Sequence, residues 1–278
     1  MLSTLRADLF KLRHSRGLYF SLFVGLIICI INLIITINEQ HHSIEMLNKY
    51  ENLKYIYYPI TVSNSALGIN NYAYTTSIFF TILPIIATLP FGLSLFTEKK
   101  KGYINFCLTR TKSSHYYISK IIVSYIGGSL ICGAVLVFSI ILNSAFVPSA
   151  QPEVISALFP VAYEKTYFLD LYLNHPVVFM LLYTMIDMLY AGWLAVLSVL
   201  ATFIFDYRIT VLIFPLAIYL LFSYFSRSIG IEIGILHSLL PQYNLSAYPL
   251  GNIMIELLIL NLITLILIAV MVKKDNKC

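Results

Sequence analysis

An all-α integral membrane protein, with six transmembrane helices and both termini in the cytoplasm, is the fold class this sequence predicts. Three observations predict it. Of 278 residues, 59% are hydrophobic and 11% charged, at a mean hydropathy of +0.83, whereas a soluble domain carries about 25% charged residues. The apolar residues gather into runs long enough to cross a bilayer, which takes about twenty residues for about 30 Å of hydrocarbon. The few charges are confined to short stretches between those runs, which excludes an ordinary globular enzyme.

The first element is residues 1–17. Leu2, Leu5, Leu9 and Leu12 recur at helical spacing with Arg6 and Arg13 beside the stripe, so the segment is expected to be an amphipathic helix lying in the inner interface. The alternative is a basic tail that only sets topology. The run after it is expected to be retained, because it is longer than a signal-peptide core and ends at Thr36-Ile37-Asn38-Glu39, without a small-x-small cleavage site.

Transmembrane spans are expected at 18–37, 74–96, 119–143, 177–204, 209–225 and 252–272. The fifth is short and holds Pro215, and the apolar stretch 229–240 after it cannot cross alone. Of the 18 basic residues, 14 fall on one side: Arg6, Lys11, Arg13, Arg16, Lys99, Lys100, Lys101, Arg110, Lys112, Lys120, Arg208, Lys273, Lys274 and Lys277. Only Lys49, Lys54, Lys165 and Arg227 lie opposite. That bias places both termini and the 2–3 and 4–5 loops in the cytoplasm. Tyr55, Tyr57, Tyr58, Tyr72, Tyr74, Tyr163, Tyr167, Tyr172, Tyr243 and Tyr248 cluster at the outer span ends, so the outer loops are expected to hug the membrane. Without an internal repeat or a long polar segment, residues 1–278 read as one membrane domain.

The most organised polar stretch runs from Glu98 to Lys120, between spans two and three. Gly102 allows a chain reversal, Ile104, Phe106 and Leu108 offer apolar anchors, and Lys99, Lys100, Lys101 and Arg110 surround them. This suits a short helix pushed into a cleft of a cytoplasmic partner, against the plainer reading of a solvated positive loop.

Inside the membrane, Thr184, Asp187, Ala191, Ala195, Ser198 and Thr202 form one small-polar stripe along the fourth span. Asp187 sits near mid-span, so it is expected to be protonated, paired or turned to a polar cavity. It is a candidate for substrate contact or gating, and equally for a packing residue reached by Arg227 or a tyrosine. Glu256 lies about a turn inside the last span, where snorkelling to the outer interface is cheap. Pro84, Pro90 and Pro215 are expected to kink their spans. Ser124, Gly128, Ser129 and Gly133 give the third span a close-packing surface.

No catalytic constellation stands out. His14, His41, His42, His115, His175 and His237 fall in loops or at span ends, and neither H-E-x-x-H nor G-x-S-x-G occurs. Adjacent His41-His42 lacks further ligands, so no metal site is expected. Cys29, Cys107, Cys132 and Cys278 show no ligand spacing and are not expected to form a structural disulfide. The basic residues sit beside apolar spans, so they read as topology signals and nucleic acid is not an expected partner. Asn244-Leu245-Ser246 matches a glycosylation sequon, a pattern common by chance.

The start Leu5-Arg6-Ala7-Asp8-Leu9-Phe10-Lys11-Leu12-Arg13, the six spans and this 2–3 loop together resemble an ABC-2 type permease over essentially the whole chain. The resemblance implies that Glu98, Gly102, Leu108, Arg110, Ser119 and Lys120 belong to a coupling helix docking on an ATPase, with Tyr103, Ile104 and Phe106 in the same contact. It also implies a re-entrant outer segment within Ser226 to Leu250, with the last span starting near Pro249. No G-x-x-x-x-G-K-[ST] occurs, so ATP and Mg are expected on a separate ATPase, present in two copies. A second permease half, identical or related, is expected to complete the translocation route. The short chain resembles permeases that export amphipathic or antimicrobial peptides, including bacteriocin self-immunity systems. Drugs, lipids or polysaccharide are alternative cargoes, and a non-transporting membrane sensor or scaffold is the reading from another class.

Overall fold

A computed structural model describes residues 2–49, 60–69, 74–149, 168–229, 239, 241 and 250–275. Among the described residues the chain is all-α, without a strand. The helices are α1 (Leu2–Arg13), α2 (Arg16–Lys49), α3 (Val62–Ser65), α4 (Tyr74–Thr88), α5 (Ser94–Lys100), α6 (Tyr103–Arg110), α7 (Ser113–Phe146), α8 (Leu169–Asn174), α9 (Pro176–Ala201), α10 (Arg208–Ile229) and α11 (Leu250–Asp275).

Four of them are long and apolar enough to cross a membrane, over Arg16–Met46, Ser113–Phe146, Pro176–Ala201 and Ile253–Lys273. The protein is therefore a membrane protein. Two further apolar helices, Tyr74–Thr88 and Arg208–Tyr224, are shorter. The expected second span, 74–96, is not one helix. It turns at 89–93 and resumes as α5, where Pro90 has no N–H to donate to a continuing ladder. Pro84 and Pro215 lie inside α4 and α10. Both α2 and α7 run to 34 residues, about 50 Å each, because no Gly or Pro stops them at the membrane edge.

The core is built around α7 and α9, the most extensive helix pair, with α2, α4, α10 and α11 packed about them. Small residues set that pair's separation. A Cβ on Gly128 would lie 2.7 Å from both the Ala191 carbonyl oxygen and the Ala195 Cβ, and one on Gly133 would strike the Met188 side chain. Ser129 donates to the Met188 carbonyl at 2.8 Å. The stripe on α9 is thus a packing seam: Thr184, Ala191, Ala195, Ser198 and Thr202 are all buried.

An unexpected element follows α2. Residues 60–69, including α3, are buried throughout. Asn32 donates to the Ser65 carbonyl at 3.0 Å, and Ser139 accepts from the Leu67 N–H at 3.0 Å. Tyr172 donates to Asn64, and Ser65 to Asn143 at 3.3 Å. The sequence pointed to re-entry only between the last two spans, within Ser226 to Leu250. Most of that stretch, apart from 226–229, 239, 241 and 250, lies outside the described residues, as do the sequon and most of the outer tyrosines.

Candidate functional site

Helix α1 is held to the bundle by its leucines. Leu12 is buried against Phe91 and Val123, with Leu5, Leu9 and Leu18 around them. The face that carries these leucines also carries Asp8, which is buried. A buried carboxylate needs a partner, and α7 supplies it. Lys120, 1% exposed, donates to Asp8 Oδ1 at 2.8 Å, to Glu98 Oε1 of α5 at 2.8 Å and to Ser94 Oγ at 3.1 Å. Those three bonds use every N–H of the ammonium. The rings of Phe91 and Tyr116 stand 5.0 and 5.3 Å from it, within cation–π reach.

Each carboxylate is completed from other directions. Ser119 donates to Asp8 Oδ2 at 2.7 Å. Lys11 donates to Glu98 Oε1 at 2.8 Å, and Tyr116 donates to the other oxygen of Glu98. Two ammonium groups and two carboxylates thus cancel in a node that ties α1, α5 and α7 together. Burial alone would raise the Glu98 carboxyl, but Lys120's charge and the hydrogen bonds from Lys11, Lys120 and Tyr116 outweigh it and hold the group below its ordinary 4.5. Burial likewise works against the Lys11 charge, yet Glu98 and Asp8 prevail and lift it above 10.5.

Beyond the node the chain reverses at Gly102, whose φ of 69° is left-handed, and enters α6. The three apolar anchors Ile104, Phe106 and Leu108 do not share one surface. Ile104 is buried, and Leu108 packs beside it in the cluster of Leu95, Tyr116, Tyr117, Val196, Val199, Leu200 and Ile268. The physical reason is period: positions 104, 106 and 108 alternate, whereas a helix brings 104 and 108 to one face and leaves 106 on the other. The outward face is Tyr103, Phe106 and Arg110, with Phe106 73% exposed. Lys11 lies over the Tyr103 ring at 5.0 Å. Between α1 and α6 opens a cavity of about 310 Å³ lined by Asp8, Lys11, Tyr103, Phe106, Cys107, Arg110 and Tyr116.

The intramembrane candidates lie apart from this node. Asp187 is 1% exposed, and its Oδ1 has no hydrogen-bond partner among the described residues. The backbone of the buried 60–69 segment stands beside it, since a Cβ on Gly68 would come 3.7 Å from Asp187 Oδ2. The side chain of Arg227 is outside the described residues. Glu256 does not snorkel to a surface: it is buried and accepts from the Tyr190 hydroxyl at 3.3 Å. The described cysteines Cys29, Cys107 and Cys132 are free.

Sequence reasoning placed Glu98 and Lys120 in one segment but missed Asp8 and Ser94 as their partners. The available signal was Asp8 on the leucine face of an amphipathic helix, opposite to where a solvated carboxylate belongs. Comparisons with protein-family models, with curated proteins and with solved structures give no match to this chain.

Proposed function

We propose that this chain is the permease subunit of an ATP-binding cassette exporter. It would cross the membrane six times with both termini cytoplasmic, α4 with the turn after it and α10 completing the set, and would form a translocation route with a second permease half. A separate ATPase, in two copies, would bind ATP and Mg and dock on α6. The observation that carries this reading is the exposed Tyr103–Phe106–Arg110 face set directly outside the Lys120 node. A partner pushing on α6 would move α5, α1 and α7 together, because their charges cannot separate without leaving a buried ion unpaired.

An amphipathic, cationic antimicrobial peptide is the cargo proposed, for export or self-immunity. Asp187 and Glu256 would serve it only if the surfaces that now cover them, the 60–69 segment beside Asp187 and α9 beside Glu256, part during transport. Asparagine at Asp187 with glutamine at Glu256 is expected to reduce peptide resistance in cells. Unchanged resistance would remove the carboxylates from the account.

This reading expects an ATPase to be encoded beside this chain, and the docking claim is tested by co-expressing the two. Phe106→Ser with Tyr103→Ser is expected to abolish co-purification while lowering the thermal stability of the permease only slightly, because Phe106 projects outward and Tyr103 gives up one exposed contact with Lys11, about 0.5–1 kcal/mol. If no ATPase co-purifies with the unaltered chain, the non-transporting sensor or scaffold is the better reading.

A further inference from the structure

A second cavity, of about 340 Å³, lies on the other side of Lys11. It is walled by the start of α2, the turn 89–93, the face of α5 and the start of α10. Gly17 and Leu89 meet there so closely that a Cβ on Gly17 would sit 2.1 Å from the Leu89 carbonyl oxygen, so the floor is fixed by backbone contact. Three cations from three helices converge on the space, Lys11, Arg16 and Arg208, with the hydroxyl residues Ser15, Ser94 and Thr97 between them. Glu98 is the one acid on the lining, which leaves a charge of +3 − 1 = +2. Glu98 is already claimed by Lys120 and Lys11. Neither Arg16 nor Arg208 has an anionic partner among the described residues, and Asp206, two positions before Arg208, does not line the cavity.

Two guanidiniums around a small cavity, with the Ser15 hydroxyl beside them, make a site for a phosphate, which arginine binds bidentately; Ser94 and Thr97 already donate to Glu98 and to the Leu93 carbonyl. What lies beside it decides the source of that phosphate. Arg16 is flanked along α2 by exposed Tyr19, Phe20 and Phe23, and Arg208 by Tyr207, 77% exposed, and Ile209. In a membrane protein such surfaces meet acyl chains, and tyrosines of this kind sit at headgroup level. We propose that this cavity holds the phosphate of an anionic phospholipid, whose acyl chains lie on the apolar surfaces beside the two arginines. Basic pockets between membrane helices recognise headgroups by this physics. The inference needs only that the chain sits in a bilayer and is independent of the exporter reading.

The test is native mass spectrometry of the full chain in a neutral detergent, titrated with phosphatidylglycerol or with phosphatidylcholine. Preferential retention of phosphatidylglycerol is expected. Arg16→Gln with Arg208→Gln should weaken it by about thirtyfold, on the surface attraction of two basic residues. Ser15→Glu, which puts a carboxylate into the cavity without removing a topology-setting charge, should act in the same direction, and it carries the test if the double variant does not insert. Lys273→Gln, a basic change outside the cavity, should have no effect. Equal retention of the two lipids, or full retention by Ser15→Glu, would overturn the proposal. So would displacement of phosphatidylglycerol by inorganic phosphate at equal concentration, which would make this a site for soluble phosphate.

Discussion

At one end the bundle holds four charges in mutual contact, Asp8, Glu98 and Lys120 buried and Lys11 at the exposed rim. At the other, the hydrogen bonds that hold the segment 60–69 run between neutral groups, Asn32, Asn64, Ser65, Ser139 and Asn143, with Asp187 buried beside it. Both networks pin a short segment against long helices, and they differ in what failure costs. Removing one member of a buried ionic cluster strands a charge, whereas removing a neutral member strands a dipole. The ionic network lies behind the exposed face of α6, where a moving partner would apply force. Its neutral counterpart lies where a segment has only to stay seated.

The largest effect that would sharpen this contrast is Lys120→Met. With buried Asp8 stripped of its close cation and Glu98 left to Lys11, Tyr116 and Ser94, it should destabilise the protein by about 3 kcal/mol, read as a lower thermal midpoint in detergent. Changing Lys120, Asp8 and Glu98 together to apolar residues should recover much of that loss, because no ion is then stranded. If the single and triple changes were equally damaging, the node would be held by packing and not by charge.

Asn32→Leu comes next, at about 1–3 kcal/mol. It frees the Ser65 carbonyl and the Thr75 hydroxyl, which donates to Asn32 Oδ1 at 2.5 Å. A cost equal to that of Lys120→Met would erase the distinction between the two ends. Gly102→Ala should cost about 1 kcal/mol, from the left-handed backbone alone, since nothing lies within 4 Å of the added Cβ.

The smallest effect at this node is that of pH between about 5 and 8, where neither Glu98 nor Lys11 titrates. Glu98 is depressed on folding, so its contribution is complete above 4.5 and disappears as pH falls through its lower folded value. Lys11 is raised, so its share is complete below 10.5 and is lost as pH climbs through its higher folded value. The Lys120→Met penalty should therefore shrink in acid, while that of Asn32→Leu should not.

The same contrast explains what is legible in the sequence. Rare charges beside apolar runs are conspicuous, so Glu98, Lys120 and the loop joining them stand out from the residue pattern alone. Asp8 is visible too, but its meaning depends on which helix lies opposite. The 60–69 segment is not legible at all: Thr61, Ser63, Asn64 and Ser65 look like an ordinary polar loop, and only long-range partners such as Asn143 and Tyr172 make their burial tolerable. The alternation of Ile104, Phe106 and Leu108 misleads for a local reason, since α6 is helical and sends Ile104 and Leu108 inward.

ATP hydrolysis by the co-purified complex, titrated with amphipathic cationic peptides after reconstitution in lipid, tests the account most directly. Saturable stimulation by peptide is expected, and it should vanish when Tyr103 and Phe106 are changed to serine. Hydrolysis indifferent to every peptide, or stimulation that survives in the Tyr103 and Phe106 variant, would contradict the claim that this chain couples an ATPase to peptide export through α6.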